Sequence, residues 1–211
     1  MGKEVGNLPQ MSPAHYRSYV GIPAHYDLIG AQVFGLLIKL GLRENHTLLD
    51  VGCGSLRVGR LLIPYLLSGH YFGVEPNKWL VEAALENELG YDILRVKRPT
   101  LEYFDDFGLS RFGQEFDFIL AHSIFTHTDQ EQARILVREV AASLGSRGLC
   151  LASYIQATDN NERRGWVYGD TVGYLSTFFI GLAGESGLDW NILSDRYIET
   201  QTWMTFSKKG G

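Results

Sequence analysis

Apolar and polar positions follow two alternating periods along this chain. From Asp27 to Leu40, the residues Leu28, Ala31, Phe34, Leu37 and Leu40 recur at helical spacing, and Gly41 stands where a helix-ending glycine belongs. A short apolar run follows, Thr47–Val51, bounded by Glu44-Asn45-His46 and a glycine turn, which reads as a buried strand. The spacing then predicts a helix from Ser55 to about Leu67, kinked by Pro64, a strand over 70–74 and a helix over 78–88. Strands are expected at Ile93–Val96 and Phe116–Ala121. Thr128-Asp-Gln-Glu131 reads as a capping box opening a helix whose stripe is Ala133, Leu136, Val137, Val140 and Leu144. A strand over 148–154, a helix over 172–186 ended by Gly187, and strands at Leu188–Leu193 and Thr202–Ser207 complete the pattern.

Strands alternating with helices imply βαβ units and a parallel sheet. The closing pair of strands has no helix between them, so one of them should run antiparallel. The expected fold is α/β: a doubly wound, mostly parallel seven-stranded sheet with one antiparallel strand near the C-terminus. Residues 25–209 form a single domain in this reading, with an insert around 155–180 and an irregular arm over 1–24. Ligands of such sheets bind outside the carboxyl ends of the strands. The tips to watch are Asp50–Leu56, Val74–Pro76, the stretch after Val96, Ala121–His127 and Tyr154 onward.

Composition narrows the function classes. The 211 residues are 45% hydrophobic and 20% charged, which excludes a disordered chain or a disulfide scaffold. No apolar run approaches the ~18 residues of a membrane span, and the polar first residues lack the apolar region of a signal peptide, so a cytoplasmic protein is expected. Twenty-four acidic against 19 basic residues give a net charge of −5, which argues against a nucleic-acid or membrane partner. Oligomeric state is not readable. Cys53 and Cys150 are too few for a zinc site and are read as reduced and structural.

The densest chemistry lies in Leu48-Leu-Asp-Val-Gly-Cys-Gly-Ser-Leu-Arg57. Gly52 and Gly54, either side of Cys53, allow a tight turn and close approach of backbone to a ligand. Beyond Asp50, Glu75 ends the next strand, where a carboxylate can accept two hydrogen bonds from a ribose diol. Dinucleotide-binding domains and methyltransferases using S-adenosylmethionine share that layout. A dinucleotide fingerprint wants glycine at position 57, and Arg57 occupies it.

Over residues 25–207 the chain resembles the class I S-adenosylmethionine-dependent methyltransferases. The segments carrying the resemblance are 48–62, 71–76, 116–128, 144–154 and 201–209. It implies S-adenosylmethionine as cofactor, with Asp50, Gly52, Cys53 and Gly54 along its methionine portion and Glu75 on its ribose. Asp105, with Glu102 as rival, would meet the adenine amino group, and Ala121 and His122 would run under the methionine. The loop's usual third glycine is here Leu56. In family members that act on sugars and natural products a histidine stands where His127 does, and an imidazole suits a general base near neutral pH. No metal is expected, because Asp159-Asn160 supplies only half of the magnesium pattern seen in metal-dependent members. Tyr154, Trp166, Tyr168 and Tyr174 offer stacking faces for an acceptor, Arg163-Arg164 could pair with an acidic group, and Tyr16, Tyr19 and Tyr26 a lid. The expected reaction is transfer to an oxygen of a small-molecule acceptor, a sugar or specialised metabolite. Transfer to nitrogen, a nicotinamide-dependent oxidoreductase and a non-catalytic adenosylmethionine-binding module are the alternatives.

Overall fold

In the computed structural model, which describes residues 15–194 and 200–210, Leu48–Val51 forms strand β1, buried at all four positions. A strand with no polar face needs a partner on each edge and cover on both faces. Tyr71–Val74 (β2) lies parallel to it on one edge, with Thr100–Glu102 (β3) beyond. Phe116–Ala121 (β4) lies parallel on the other edge, followed by Leu144–Gln156 (β5). Gly173–Tyr174 (β6) adds a short parallel pairing to the end of β5. Leu188–Ile192 (β7) and Thr202–Lys208 (β8) close the sheet, β8 antiparallel to both β5 and β7. The order is β3-β2-β1-β4-β5-β8-β7, the seven-stranded path with one reversed strand that the sequence predicts.

Helices cover both faces. Tyr16–Tyr19 (α1), Tyr26–Lys39 (α2), Gly59–Tyr65 (α3), Lys78–Ala84 (α4) and Asp92–Lys97 (α5) precede β3, and Gln130–Ser143 (α6) and Ser176–Glu185 (α7) follow β4. Val33 and Leu37 of α2, Leu62 of α3 and Val81 of α4 pack with Leu48 and Phe118 in one apolar layer. Leu136 and Val140 of α6 and Phe179 and Leu182 of α7 pack with Leu49 and Ile119 in the other. None of the described helices is long and apolar enough to cross a membrane.

Several expectations need correcting. Ile93–Val96 is not a strand but the body of α5, and the third strand is Thr100–Glu102. Asp92 in the first turn and Arg95 and Lys97 in the last complement the helix dipole, and Arg98, at φ +46°, ends the helix just before Pro99. The true strand is three residues long and half exposed, too short to show a period. The helix expected from Ser55 begins at Gly59, because Leu56 adopts φ +53° and breaks it. The cap of α6 is Asp129, one residue later than expected: its Oδ1 accepts from Gln132 N at 2.7 Å, while Gln132 Oε1 accepts from Asp129 N at 3.1 Å. The segment expected to be helical from 172 starts as β6 and turns helical only at Ser176. The arm expected to be irregular holds α1, while residues 1–14 lie outside the described residues. Tyr16 Oη donates to Glu88 at 2.8 Å and Arg17 pairs with the same carboxylate, pinning α1 against the turn that follows α4.

Candidate functional site

The loop from β1 to α3 is shaped by residues in the left-handed region. Gly52 has φ +66°, and a Cβ there would lie 2.1 Å from Ile124 Cδ1; Gly54 has φ +55°, and its Cβ would lie 2.9 Å from Val20. Leu56 holds the third such position at φ +53°, with its side chain fully buried. Left-handed backbone costs a leucine roughly 1–2 kcal/mol, less than the ~2–5 kcal/mol lost when a buried leucine is truncated to alanine. The chain therefore keeps the glycine path without the glycine. Tyr26 Oη donates to Ser55 O at 2.8 Å and ties this loop to α2.

Two buried carboxylates face the loop. Glu75, at the tip of β2, accepts Gly54 N on Oε2 at 3.1 Å, and Asn77 N and Nδ2 on Oε1 at 2.8 and 2.9 Å. A carboxylate offers about four acceptor sites, so capacity remains for a diol. Asp50 is 4% exposed and accepts from Tyr71 Oη at 2.8 Å. Burial pushes its carboxyl up to about 7, against the pull of Tyr71's hydrogen bond and of Arg57's charge; the nearby charge of Glu75 adds to the rise. Burial likewise raises the Cys53 thiol, and both carboxylates push it further, so Cys53 is a neutral packing residue in the turn.

Beyond β4 the chain turns sharply. His122 stacks on Trp203, ring centroids 5.0 Å apart, with its Nδ1 3.1 Å from Arg57 Nη2. Ser123 is left-handed at φ +62°. Its N–H donates to Ser153 Oγ at 2.8 Å; Ser153 donates to Gln201 Oε1 at 2.6 Å, and Gln201 Nε2 returns to Ser123 Oγ at 2.8 Å. This closed ring holds a strained turn in place. His127 then meets the insert: its Nδ1 lies 2.9 Å from Val167 O and 3.0 Å from Asp170 O. Carbonyl oxygens only accept, so in the neutral ring Nδ1 is the nitrogen that carries the proton and Nε2 the one with the lone pair.

These pieces enclose a cavity of about 1090 Å³ at the carboxyl ends of the strands. That is slightly above the ~300–1,000 Å³ range of small-molecule sites. Asp50, Gly52, Cys53, Gly54, Glu75, Asp105, His122 and His127 all reach its wall. Ala121 does not: it is fully buried in the core beneath. Asp105 sits exposed at the rim, whereas Glu102 contributes only its carbonyl, which accepts from Glu75 N at 3.0 Å.

Of the aromatic candidates, Tyr19, Trp166 and Tyr168 line the cavity. Tyr154 and Tyr174 are core residues at 0% exposure, and Tyr16 and Tyr26 are buried behind the wall. Arg163 pairs with Asp170 at 2.9 Å, and Asp159 accepts from Thr158 in the insert. Among the described residues no group of three or more His, Cys, Asp or Glu is arranged to hold a metal. Sequence reasoning missed Arg57 as a wall residue, and it placed Ser123 and Gln201 only within the segments 121–127 and 201–209, without the bond between them. Arg57 was legible only as a missing glycine, and the ring through Ser123 depends on a pairing across 78 residues.

Residues 49–150 match a family model described as a methyltransferase domain. Among solved structures, the chain is similar to the sugar N-methyltransferase KedS8 from Streptoalloteichus sp ATCC 53650, at 15% identity over 99% of each chain and a TM-score of 0.67. It is also similar to magnesium protoporphyrin IX methyltransferase from Synechocystis PCC 6803 with bound SAH, at 15% identity, 89% of this chain, 85% of that chain and a TM-score of 0.65. A third likeness is to a protein from Nostoc punctiforme PCC 73102 assigned as an O-methyltransferase, at 15% identity, 98% of this chain, 64% of that chain and a TM-score of 0.68. At these identities the structural likeness is one of fold.

Proposed function

We propose that the chain, whose residues 49–150 match a methyltransferase domain, is a class I S-adenosylmethionine-dependent methyltransferase that methylates a hydroxyl oxygen of a small-molecule acceptor with His127 as general base. The observation that carries this reading is the pair of carbonyls on His127 Nδ1. They hold the proton on Nδ1 and leave Nε2 to accept one at the cavity wall. Bound S-adenosylmethionine supplies an electrophilic methyl carbon on a sulfonium, which needs no activation by the protein. In this reading Glu75 takes the ribose hydroxyls, the glycine loop passes close along the methionine portion, and Asp50 faces its amino group. Asp105 at the rim meets the adenine edge, and His122 flattens the wall beneath the reacting end. Holding both partners at attack distance contributes ~7–11 kcal/mol, and His127 removes the hydroxyl proton as the C–O bond forms.

A sugar-like or specialised-metabolite acceptor fits the exposed faces of Trp166 and Tyr168 beside the imidazole. The full-length likeness to a sugar N-methyltransferase favours an amine acceptor as second reading. Transfer of labelled methyl groups to matched hydroxyl and amino sugars separates the two. With a hydroxyl acceptor, His127→Ala should lower turnover ~10²–10⁴-fold while leaving S-adenosylhomocysteine affinity within about twofold. Full activity in His127→Ala, or transfer confined to amines, would overturn the oxygen reading.

A further inference from the structure

Both carbonyls that hold the proton on His127 Nδ1 belong to one short stretch, residues 166–171. Its opposite side is tied to the N-terminal segment. Tyr168 Oη donates to Tyr19 O at 2.8 Å, and the two rings stack at 4.4 Å with 18° between their planes. Tyr19 in turn sets its ring edge-to-face against Trp79, 5.3 Å away. Tyr19, Tyr168 and His127 all line the same cavity, so the stretch bridges it from the histidine to α1. Gly165 (φ +75°) and Gly169 (φ +86°) bracket the tyrosine, and a Cβ at either would meet nothing within 4 Å. The near end is anchored by Gly165 N, which donates to Asp129 Oδ2 at 2.6 Å, and by Val167 N, which donates to His127 O at 2.8 Å. The far end, with the Asp170 carbonyl, is held by the Arg163–Asp170 pair and by Val172 N, which donates to Thr126 O at 2.8 Å, and Tyr168 ties the middle of the stretch to α1.

We propose that Tyr168 is a positioning residue that sets the tautomer of His127, so that the imidazole is a competent base only when residues 166–171 are clasped to Tyr19 over the cavity. The neutral side chain of an unconstrained histidine in water prefers its proton on Nε2. That tautomer has its lone pair on Nδ1, facing the insert, and cannot take a proton from an acceptor at Nε2. Closing the clasp brings two oxygens to Nδ1 and reverses the preference. The inference deepens the reading of His127 as base and rests on it for its catalytic meaning. The tautomer itself is measurable without any acceptor.

The test is the ¹⁵N spectrum of imidazole-labelled protein above the pH at which its histidines are protonated, with His127→Gln to assign the resonance. The wild type should show His127 as the Nδ1–H tautomer. Tyr168→Ala, which loses both the stack and the hydroxyl, should shift the tautomer ratio roughly tenfold toward Nε2–H, the worth of about one neutral hydrogen bond. Tyr168→Phe, which keeps the stack, should fall between them. Circular dichroism and thermal unfolding establish that the variants are folded, and Tyr168→Phe serves if Tyr168→Ala is not. An unchanged Nδ1–H signature in a folded Tyr168→Ala protein, or a wild type already in the Nε2–H form, would overturn the proposal. A tautomer shift together with a fully active His127→Ala enzyme would uphold the clasp and sink the base assignment instead.

Discussion

Asp50 shows how burial in the cavity wall becomes a dependence on pH. Its carboxyl titrates at about 7 in the folded protein, chiefly through desolvation, against ~3.9 for an exposed aspartate. The folded state therefore holds this proton more tightly than the unfolded one. Below about pH 4 both states are protonated and nothing is lost; from there to about 7 ionisation costs the folded state progressively, up to a few kcal/mol, and above that the cost is constant. Denaturant unfolding of wild type and Asp50→Asn across that range should give curves that diverge, the wild type losing ground as pH rises. A cationic ligand reverses the sign, so S-adenosylmethionine should bind wild type more tightly as pH rises through about 7, and Asp50→Asn much less so. Parallel stability curves and equal pH profiles for binding would remove Asp50 from both roles. Asp50 and Glu75 were legible in the sequence because strand-end carboxylates bracket a glycine loop in a fixed order. The burial that lifts Asp50, against the pull of Tyr71 and Arg57, comes from side chains brought together by folding.

The packing of α3 on β2 leaves no room at Gly59. A Cβ there would lie 2.6 Å from the Tyr71 hydroxyl and 2.9 Å from Leu56 Cδ2. Alanine is favoured over glycine in a helix by ~1 kcal/mol, but overpacking of this kind costs ~1–3 kcal/mol and would push Tyr71 off Asp50. Gly59→Ala should therefore lower stability, whereas Gly35→Ala, in an open position on α2, should raise it by up to ~1 kcal/mol. Urea midpoints for the pair check this, and a stabilised Gly59→Ala protein would refute the close contact. The legibility of the elements follows the same physics. Strands β1, β2 and β4 were readable because they are largely buried and show as short apolar runs, interrupted only by Asp50, Gly73 and Asp117. Strand β3 was not, since Thr100–Glu102 has too few residues to make a pattern, while Ile93 and Leu94, which pack on the core, and the exposed Val96 imitate a strand within a helix. The cap at Asp129 slipped by one because Thr128 and Asp129 are both good capping residues. The choice is made by Gly165 N, which donates to Asp129 Oδ2 at 2.6 Å from the distant insert.

A ligand spanning the glycine loop, Glu75 and the turn after β4 would bridge both halves of the sheet, so its binding should stabilise the chain as a unit. S-adenosylhomocysteine at one hundred times its dissociation constant should add ~2.7 kcal/mol, which for a chain of this length raises the melting temperature by roughly 5–11 °C. A thermal scan with the nucleoside alone should show less, and no shift with either would place the ligand elsewhere. The sheet order carries a further consequence. Strand β8 follows β7 in the chain but is inserted between β5 and β7, and the residues just before and within it bring Gln201 to Ser123 and Trp203 to His122. During synthesis, then, the glycine loop and both carboxylates emerge from the ribosome long before the strand that backs the opposite wall. Until residues 201–208 clear the exit tunnel, β5 presents a bare edge of the kind that pairs promiscuously, and the turn at Ser123 lacks the amide that braces it. Emergence of β8 is the moment at which a nascent chain completes the wall of its cavity, and a chaperone that covers the β5 edge would be guarding the site before it exists.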